Sequence, residues 1–319
     1  MKVFIAGATG VLGRRLTQQF RRRGHIVMCL ARNANNESAI RALGGEPRRS
    51  DLFDVDSLAA AAVGADVIVH AATAIPTAAK VKPQDWEMND RIRRSGTRAL
   101  AETAGRIGAE ALLVQSITWV ARPADQSAFD ENSPLQPDAV TQSAADMETI
   151  AQEAGERQGF RTTILRCGWF YAPDAGHTRS FGELLMKRQL PVIGQGDAIW
   201  SWLHVYDAAS AFVTAAEANK GGVWHVVDDQ PVTAAEYLDT FARRLGAPAP
   251  RHVPTWLARI LAGSFAVNFM ASSTRTSNAR FKRDFAWKPR FPSYREGLDD
   301  VLAAWQDENF LGLTRRSAA

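Results

Sequence analysis

Three glycines, each separated by two residues in Gly7-Ala8-Thr9-Gly10-Val11-Leu12-Gly13, follow an apolar run and precede a helix-forming stretch. Backbone without Cβ atoms at the start of a helix lets a diphosphate reach bare N–H groups at the positive end of the helix dipole. The turn therefore predicts a dinucleotide site, with Gly7, Thr9, Gly10, Val11, Leu12 and Gly13 against the cofactor. Roughly 20 residues on, where an NAD-binding chain carries an acid for the ribose hydroxyls, stands Arg32. A guanidinium pairs with a 2′-phosphate and stacks on adenine, whereas an acid would repel that phosphate. Arg14 is expected to add a second charge there, so the expected cofactor is NADP (NADPH). Asp51 and Leu52 are expected at the adenine edge, and Ala71, Ala72 and Thr73 are small enough for backbone to pass close to the cofactor.

Such a turn works only if strands and helices hold it. Candidate strands at residues 2–6, 26–31, 46–49, 67–71, 112–116 and 162–165, most of them short apolar runs, alternate with helical patterns at 12–23, 56–63, 90–107 and 144–158. That alternation predicts an α/β chain: a Rossmann-type doubly wound parallel sheet. A further strand follows at Trp224-His225-Val226-Val227, then a helix over 233–245 with Thr233 as its cap. Residues 174–199 and 248–294 break the alternation with Pro, Gly and aromatics. They are expected to fold together as a smaller, mostly helical carboxyl-terminal substrate lobe over the carboxyl edge of the sheet, where open α/β sheets bind ligands. The nucleotide domain is then 1–172 plus about 203–235, and the lobe 173–202 and 236–319, with a frayed tail at 314–319.

Bulk properties narrow the function classes. The 319 residues are 46% hydrophobic and 23% charged, a globular balance. A net charge of +4 suits anionic small molecules, and no basic face with a reading motif announces nucleic acid. Arg21-Arg22-Arg23 reads as the last turn of a helix stopped by Gly24. The two cysteines, Cys29 and Cys167, define no disulfide framework, which fits a cytoplasmic chain. The sequence opens directly on a strand, so no leader is expected, and the apolar stretch 256–270 is too short and interrupted to span a bilayer. The six histidines form no ligand cluster; no metal is expected, and His204 reads as structural. The chain is expected to be a monomer or homodimer.

With the glycine turn, Val69-His70-Ala71-Ala72, Ser95-Gly96-Thr97-Arg98, the stretch Leu165 to Tyr171, Leu203-His204-Val205-Tyr206-Asp207 and Tyr294-Arg295-Glu296-Gly297-Leu298, the chain resembles the extended short-chain dehydrogenase/reductases nearly throughout. The resemblance implies a Ser/Thr that orients a carbonyl and a Tyr-x-x-x-Lys pair in which the lysine lowers the tyrosine pKa. Ser116 matches the serine. Glu148 matches a glutamate four residues after the lysine, which puts Ala144 at the lysine and Val140 at the tyrosine. The four tyrosines, Tyr171, Tyr206, Tyr237 and Tyr294, are followed at the fourth residue by Ala175, Ser210, Phe241 and Leu298. No Tyr-x-x-x-Lys exists anywhere in the chain.

An enzyme is still possible without that pair, because hydride transfer depends mainly on proximity and on stabilising an alkoxide. Ser116 or Thr118 can donate a hydrogen bond to the carbonyl. The proton can come from water, from Tyr171 or His177, or from a hydroxyl beside the substrate ketone, as in aromatic polyketides and quinones. Cys167, Gly168 and Trp169 are implied on the nicotinamide side. A hydrophobic substrate is expected among Trp169, Phe181, Leu184, Met186, Trp200, Trp202, Phe265, Phe269 and Met270. The expectation is thus an NADP-dependent ketoreductase acting on a hydrophobic or aromatic, polyketide-, quinone- or steroid-like molecule. Two alternatives stay open: a non-catalytic NADP-binding sensor or assembly factor, and a nucleotide-sugar epimerase or dehydratase.

Overall fold

A computed structural model describes residues 1–76 and 81–313. The first half alternates strand and helix. It runs β1 (Lys2–Ala6), α1 (Val11–Arg22), β2 (Ile26–Ala31), α2 (Ala34–Ala42), β3 (Glu46–Arg49), α3 (Val55–Ala62) and β4 (Val67–His70). There follow α4 (Glu87–Arg91), α5 (Thr97–Ile107), β5 (Ala111–Ile117), α6 (Gln142–Gln158) and β6 (Arg161–Cys167). Beyond them come β7 (Trp169–Tyr171), α7 (Gly176–Met186), β8 (Val192–Ile193), β9 (Ile199–Trp200), β10 (Trp202–His204), α8 (Val205–Glu217) and β11 (Gly222–Val226). The chain continues through β12 (Val232–Thr233), α9 (Ala234–Leu245), β13 (His252–Val253), α10 (Thr255–Ala262), α11 (Ser264–Met270), α12 (Ala279–Phe285) and α13 (Tyr294–Asp307). The tail 314–319 lies outside the described residues, as does the Phe265 side chain.

Seven strands form one parallel sheet in the order β11-β6-β5-β4-β1-β2-β3. Its central strands are apolar on both faces because helices cover both. On one face Leu12, Leu16 and Phe20 of α1 pack with Ala208, Ala211 and Phe212 of α8 and Phe281 of α12. On the other, Leu58 of α3, Leu100 and Ala104 of α5, and Met147 and Ala151 of α6 are buried together. The doubly wound parallel sheet is therefore present. Its strand order reverses between β1 and β4, which opens the crevice where such sheets bind ligands.

A third apolar cluster joins the later stretches: Leu185, Val192, Trp200, Trp202, Tyr237, Phe241, Tyr294 and Trp305 pack together and reach Trp119 and Trp169. The short pairs β13–β8 and β12–β9 stitch these segments. The helix expected at 90–107 is interrupted. Between α4 and α5 the segment Ile92–Gly96 forms a π-helical turn, whose extra residue changes which side chains face inward.

Candidate active site

The glycine turn divides by cause. Gly7 has φ +97, and a Cβ there would lie 2.6 Å from the backbone of Ala71 and Ala72. A Cβ on Gly13 would lie 2.0 Å from the Gly7 carbonyl oxygen. Both glycines are thus required by the protein itself, which brings the loops after β1 and β4 together at the crevice. Gly10 differs: a Cβ there meets only the Gly7 oxygen, at 3.3 Å, with ordinary φ −73. That contact is tight but far looser than those at Gly7 and Gly13, and a bare backbone there suits a ligand. Gly10 caps α1 without a side-chain hydrogen bond, so the first N–H groups of the helix, from Val11, Leu12 and Gly13, have no capping side chain. This cradle fits a dinucleotide diphosphate.

Arg32 follows β2 directly, is exposed, and makes no hydrogen bond or ion pair among the described residues. Its neighbour Asn33 instead caps α2, accepting a bond from Asn36 N–H at 2.9 Å. Arg14, expected beside Arg32, is committed elsewhere. Its Nη2 pairs with Asp174 at 2.5 Å, and Arg15 holds the same carboxylate at 2.7 Å. A side chain one position after Gly13 points along the outer face of α1, where Arg14, Arg15, Asp174, Tyr206 and Arg290 line a polar cleft of about 440 Å³. None of the glycine turn lines that cleft. At the other edge, Asp51 accepts a bond from Phe53 N–H at 2.9 Å, and Leu52 is buried against Gly96 of the π turn. Ala71 is buried and Thr73 is exposed after β4.

The chemistry end differs more from expectation. Ser116 does sit at the end of β5, but its hydroxyl is buried and donates to Glu148 at 2.5 Å. Glu148 in turn is clamped by Arg166, whose Nε and Nη2 donate at 2.9 and 2.7 Å. The serine is therefore spent on a buried ion pair rather than presented to a carbonyl. Thr118, in the 3₁₀ turn after β5, is also buried, but its Oγ1 has no partner among the described residues. Val140 and Ala144, in the places of the absent tyrosine and lysine, flank the start of α6.

Tyr171 and His177 are both engaged within the fold. The Tyr171 ring is fully buried in the lobe core, edge-on to His204 at 5.1 Å, with Gly297 against its hydroxyl. Burial, then the nearby Asp228 carboxyl, pushes its pKa well up, so the proton stays on the ring oxygen. His177 spends its Nε2 on the Phe170 carbonyl. The Cys167 thiol, expected on the nicotinamide side, is buried, with its pKa raised by desolvation. Gly168 is explained by packing, since a Cβ there would lie 2.4 Å from the Ser201 carbonyl.

Trp169 opens an aromatic wall. Its ring lies 5.1 Å from Trp119, 5.2 Å from Trp200, 5.5 Å from Trp202 and 4.7 Å from Phe269. The Nε1 atoms of Trp119, Trp169, Trp200 and Trp202 are all buried without an acceptor among the described residues. Trp200 and Trp202 are fully buried in the lobe core, whereas Phe269 at the edge of the wall is partly exposed. Trp119 was not among the residues expected here; it follows β5 in a turn that carries no periodic signal. Arg93, on the π turn, also went unforeseen. It is only 5% exposed, and its Nη1 reaches Ser143 Oγ at 3.2 Å and the Val140 carbonyl at 3.5 Å.

Comparisons with known proteins agree with this geometry. The NAD dependent epimerase/dehydratase family model matches residues 3–227. A 3-diazoavenalumate denitrifying reductase from a Streptomyces species is 35% identical over 310 residues, covering 93% of this chain and 99% of that protein. A Stigmatella aurantiaca ketoreductase acting on 4-hydroxy-2-methyl-3-oxo-4-farnesyl-3,4-dihydroquinoline-1-oxide is 26% identical over 275 residues, covering 82% and 79%. Among solved structures, human epimerase family protein SDR39U1 (isoform 2) with NADPH superposes with a TM-score of 0.79 at 22% identity, covering 94% of this chain and 99% of that one.

Proposed function

The chain belongs to the NAD dependent epimerase/dehydratase family, and from that premise we propose that it is an NADPH-dependent reductase of an aromatic small molecule that works without a protein proton donor. The observation that carries this reading is the aromatic wall just past the carboxyl ends of β5 and β6, where Trp119 and Trp169 pack against the partly exposed ring of Phe269. An aromatic ligand would stack on such a wall through its ring face. Gly10 and the start of α1 would hold the diphosphate, and Arg32 the 2′-phosphate. When bound, NADPH supplies a hydride.

The remaining work of the protein is positioning. Well-oriented reactants gain roughly 7–11 kcal/mol, whereas loss of a general acid costs about 10²–10⁴-fold. A ketone with a neighbouring hydroxyl can use its own proton. A second acceptor is favoured by the 35% likeness to the denitrifying reductase. In an aryl diazo group, hydride forms the ring C–H bond while the C–N electron pair leaves with N₂, so no proton is needed at all. Either acceptor suits a site in which Val140 and Ala144 replace the tyrosine and lysine.

The test is a panel of hydroxy-ketones, quinones and ortho-diazo phenols, read as loss of reduced nicotinamide absorbance. The proposal expects turnover of at least one aromatic class, and methylating the hydroxyl beside a ketone should slow it more than Ser116→Ala does. Tight NADPH binding with no turnover across the panel would establish a binding protein instead.

A further inference from the structure

Arg93 is a buried cation on which the Asp90 charge acts only from beyond ion-pair distance. No carboxylate stands within ion-pair distance of it among the described residues. Asp90, one turn earlier, is paired with Arg94 at 3.8 Å, and Asp146 takes Arg94 at 2.6 Å. The Arg93 contacts are to two neutral oxygens, through Nη1 alone, so Nε and Nη2 have no partner among the described residues. The residue as a whole keeps 5% of its surface exposed.

Position gives this charge a meaning. The π turn rotates Arg93 inward between the carboxyl end of β4, where His70 is buried, and the start of α6. It touches the carbonyl of Val140 and the residue before Ala144, the positions of the absent tyrosine and lysine. A guanidinium buried without a paired anion is costly to keep, and the arrangement is offset once an anionic oxygen arrives.

We propose that Arg93 is the oxyanion-holding residue of this site: its Nε and Nη2 bind the substrate oxygen on which negative charge develops, where the family's tyrosine would deliver a proton. The inference rests on the hydride-transfer reading above. With a ketone, hydride bonds to the carbonyl carbon and the C=O π pair moves to oxygen as an alkoxide. The substrate's neighbouring hydroxyl or water then protonates it. With an ortho-diazo phenol in its quinonoid form, the ring oxygen becomes a phenolate as N₂ leaves. Arg93 keeps its proton in both. Burial pushes its pKa down only to about 10, so it is cationic at neutral pH. The ligand it selects is an aromatic molecule with a phenolate or enolate oxygen.

Two independent readouts test this. The first is R93M with R93K in turnover assays. R93M should lose about 10²–10³-fold in kcat, the usual cost of one oxyanion donor, with NADPH affinity unchanged, and R93K should recover part of it. The second needs no turnover: binding of 4-nitrophenolate against 4-nitroanisole, read by quenching of tryptophan fluorescence. Wild type should prefer the phenolate by about tenfold or more, the scale of one charged hydrogen bond; R93M should lose that preference and R93K should keep it. Equal loss of NADPH affinity and kcat in R93M, or an intact phenolate preference, overturns the proposal. If R93M does not fold, a folded R93K without the preference overturns it equally. If wild type reduces nothing yet prefers phenolate, the hydride reading fails while the anion site stands.

Discussion

At the scale of residues, the glycine turn makes two predictions that separate ligand from fold. Gly10→Val should lower the melting temperature less than Gly13→Val and abolish cofactor binding at micromolar concentrations, because its Cβ meets one backbone oxygen at 3.3 Å rather than 2.0 Å. Gly13→Val should instead damage the turn itself, since its Cβ would stand 2.0 Å from the Gly7 oxygen. Thermal melts with and without NADPH check both. Arg32→Asp should invert the preference for NADPH over NADH, by roughly 10–100-fold for a lost charge-assisted bond plus added repulsion; calorimetric titration showing an unchanged ratio would move the credit elsewhere. The buried Ser116–Glu148–Arg166 network is structural. Glu148→Gln should cost about 3–5 kcal/mol in urea denaturation, because the nearly buried Arg166 loses its counterion. A loss below 1 kcal/mol would contradict that role.

Elements were legible where one physical signal dominated. β1 and β2 end where their apolar runs end, and the turn after β1 was readable because its chemistry is local. α2 escaped because it buries only Ile40 and so shows no apolar stripe. What holds it is the Asn33 cap, and Asn33→Ala should cost about 0.5–2 kcal/mol, read as a shift in the urea midpoint. α8 escaped for the opposite reason. Its residues Ala208, Ala209, Ala211, Phe212, Ala215 and Ala216 are buried almost all round, so the helical period is lost in a continuous apolar run. The candidate site was half legible on the same grounds. Cofactor residues sit in a local motif, but Ser116 was lost to Glu148 and Arg166 across three elements. Arg93 became visible only because a π turn, which no periodicity announces, faces it inward.

At the scale of the whole molecule, the buried histidines set an acid limit. Burial lowers His70 to about 4 and, with the Arg166 charge adding to it, His225 to about 3. Both lie below the unfolded value near 6.5, so the unfolded chain binds more protons below that pH. The stability is complete above about pH 6.5 and is lost as pH falls from there toward about 4 and 3. His70 alone should account for roughly 2 kcal/mol between pH 7 and 5. His70→Gln should shrink the drop in urea midpoint over that range, and an unchanged drop would contradict it.

No helix among the described residues is long and apolar enough to cross a membrane. The molecule joins a cofactor cradle at the β1/β4 crevice to an aromatic wall that continues into the later half of the chain. Its central claim is that hydride passes directly between the two without a protein acid. The most direct measurement is a single-turnover reaction with NADPH carrying two deuterons at C4 in ordinary water, the product read by mass spectrometry for the ketone and the diazo acceptors. The expected product carries one deuterium at the reduced carbon, either the carbinol or the ring position vacated by N₂, and Tyr171→Phe and His177→Ala still form it. An unlabelled product, or loss of the reaction in either variant, would contradict the account.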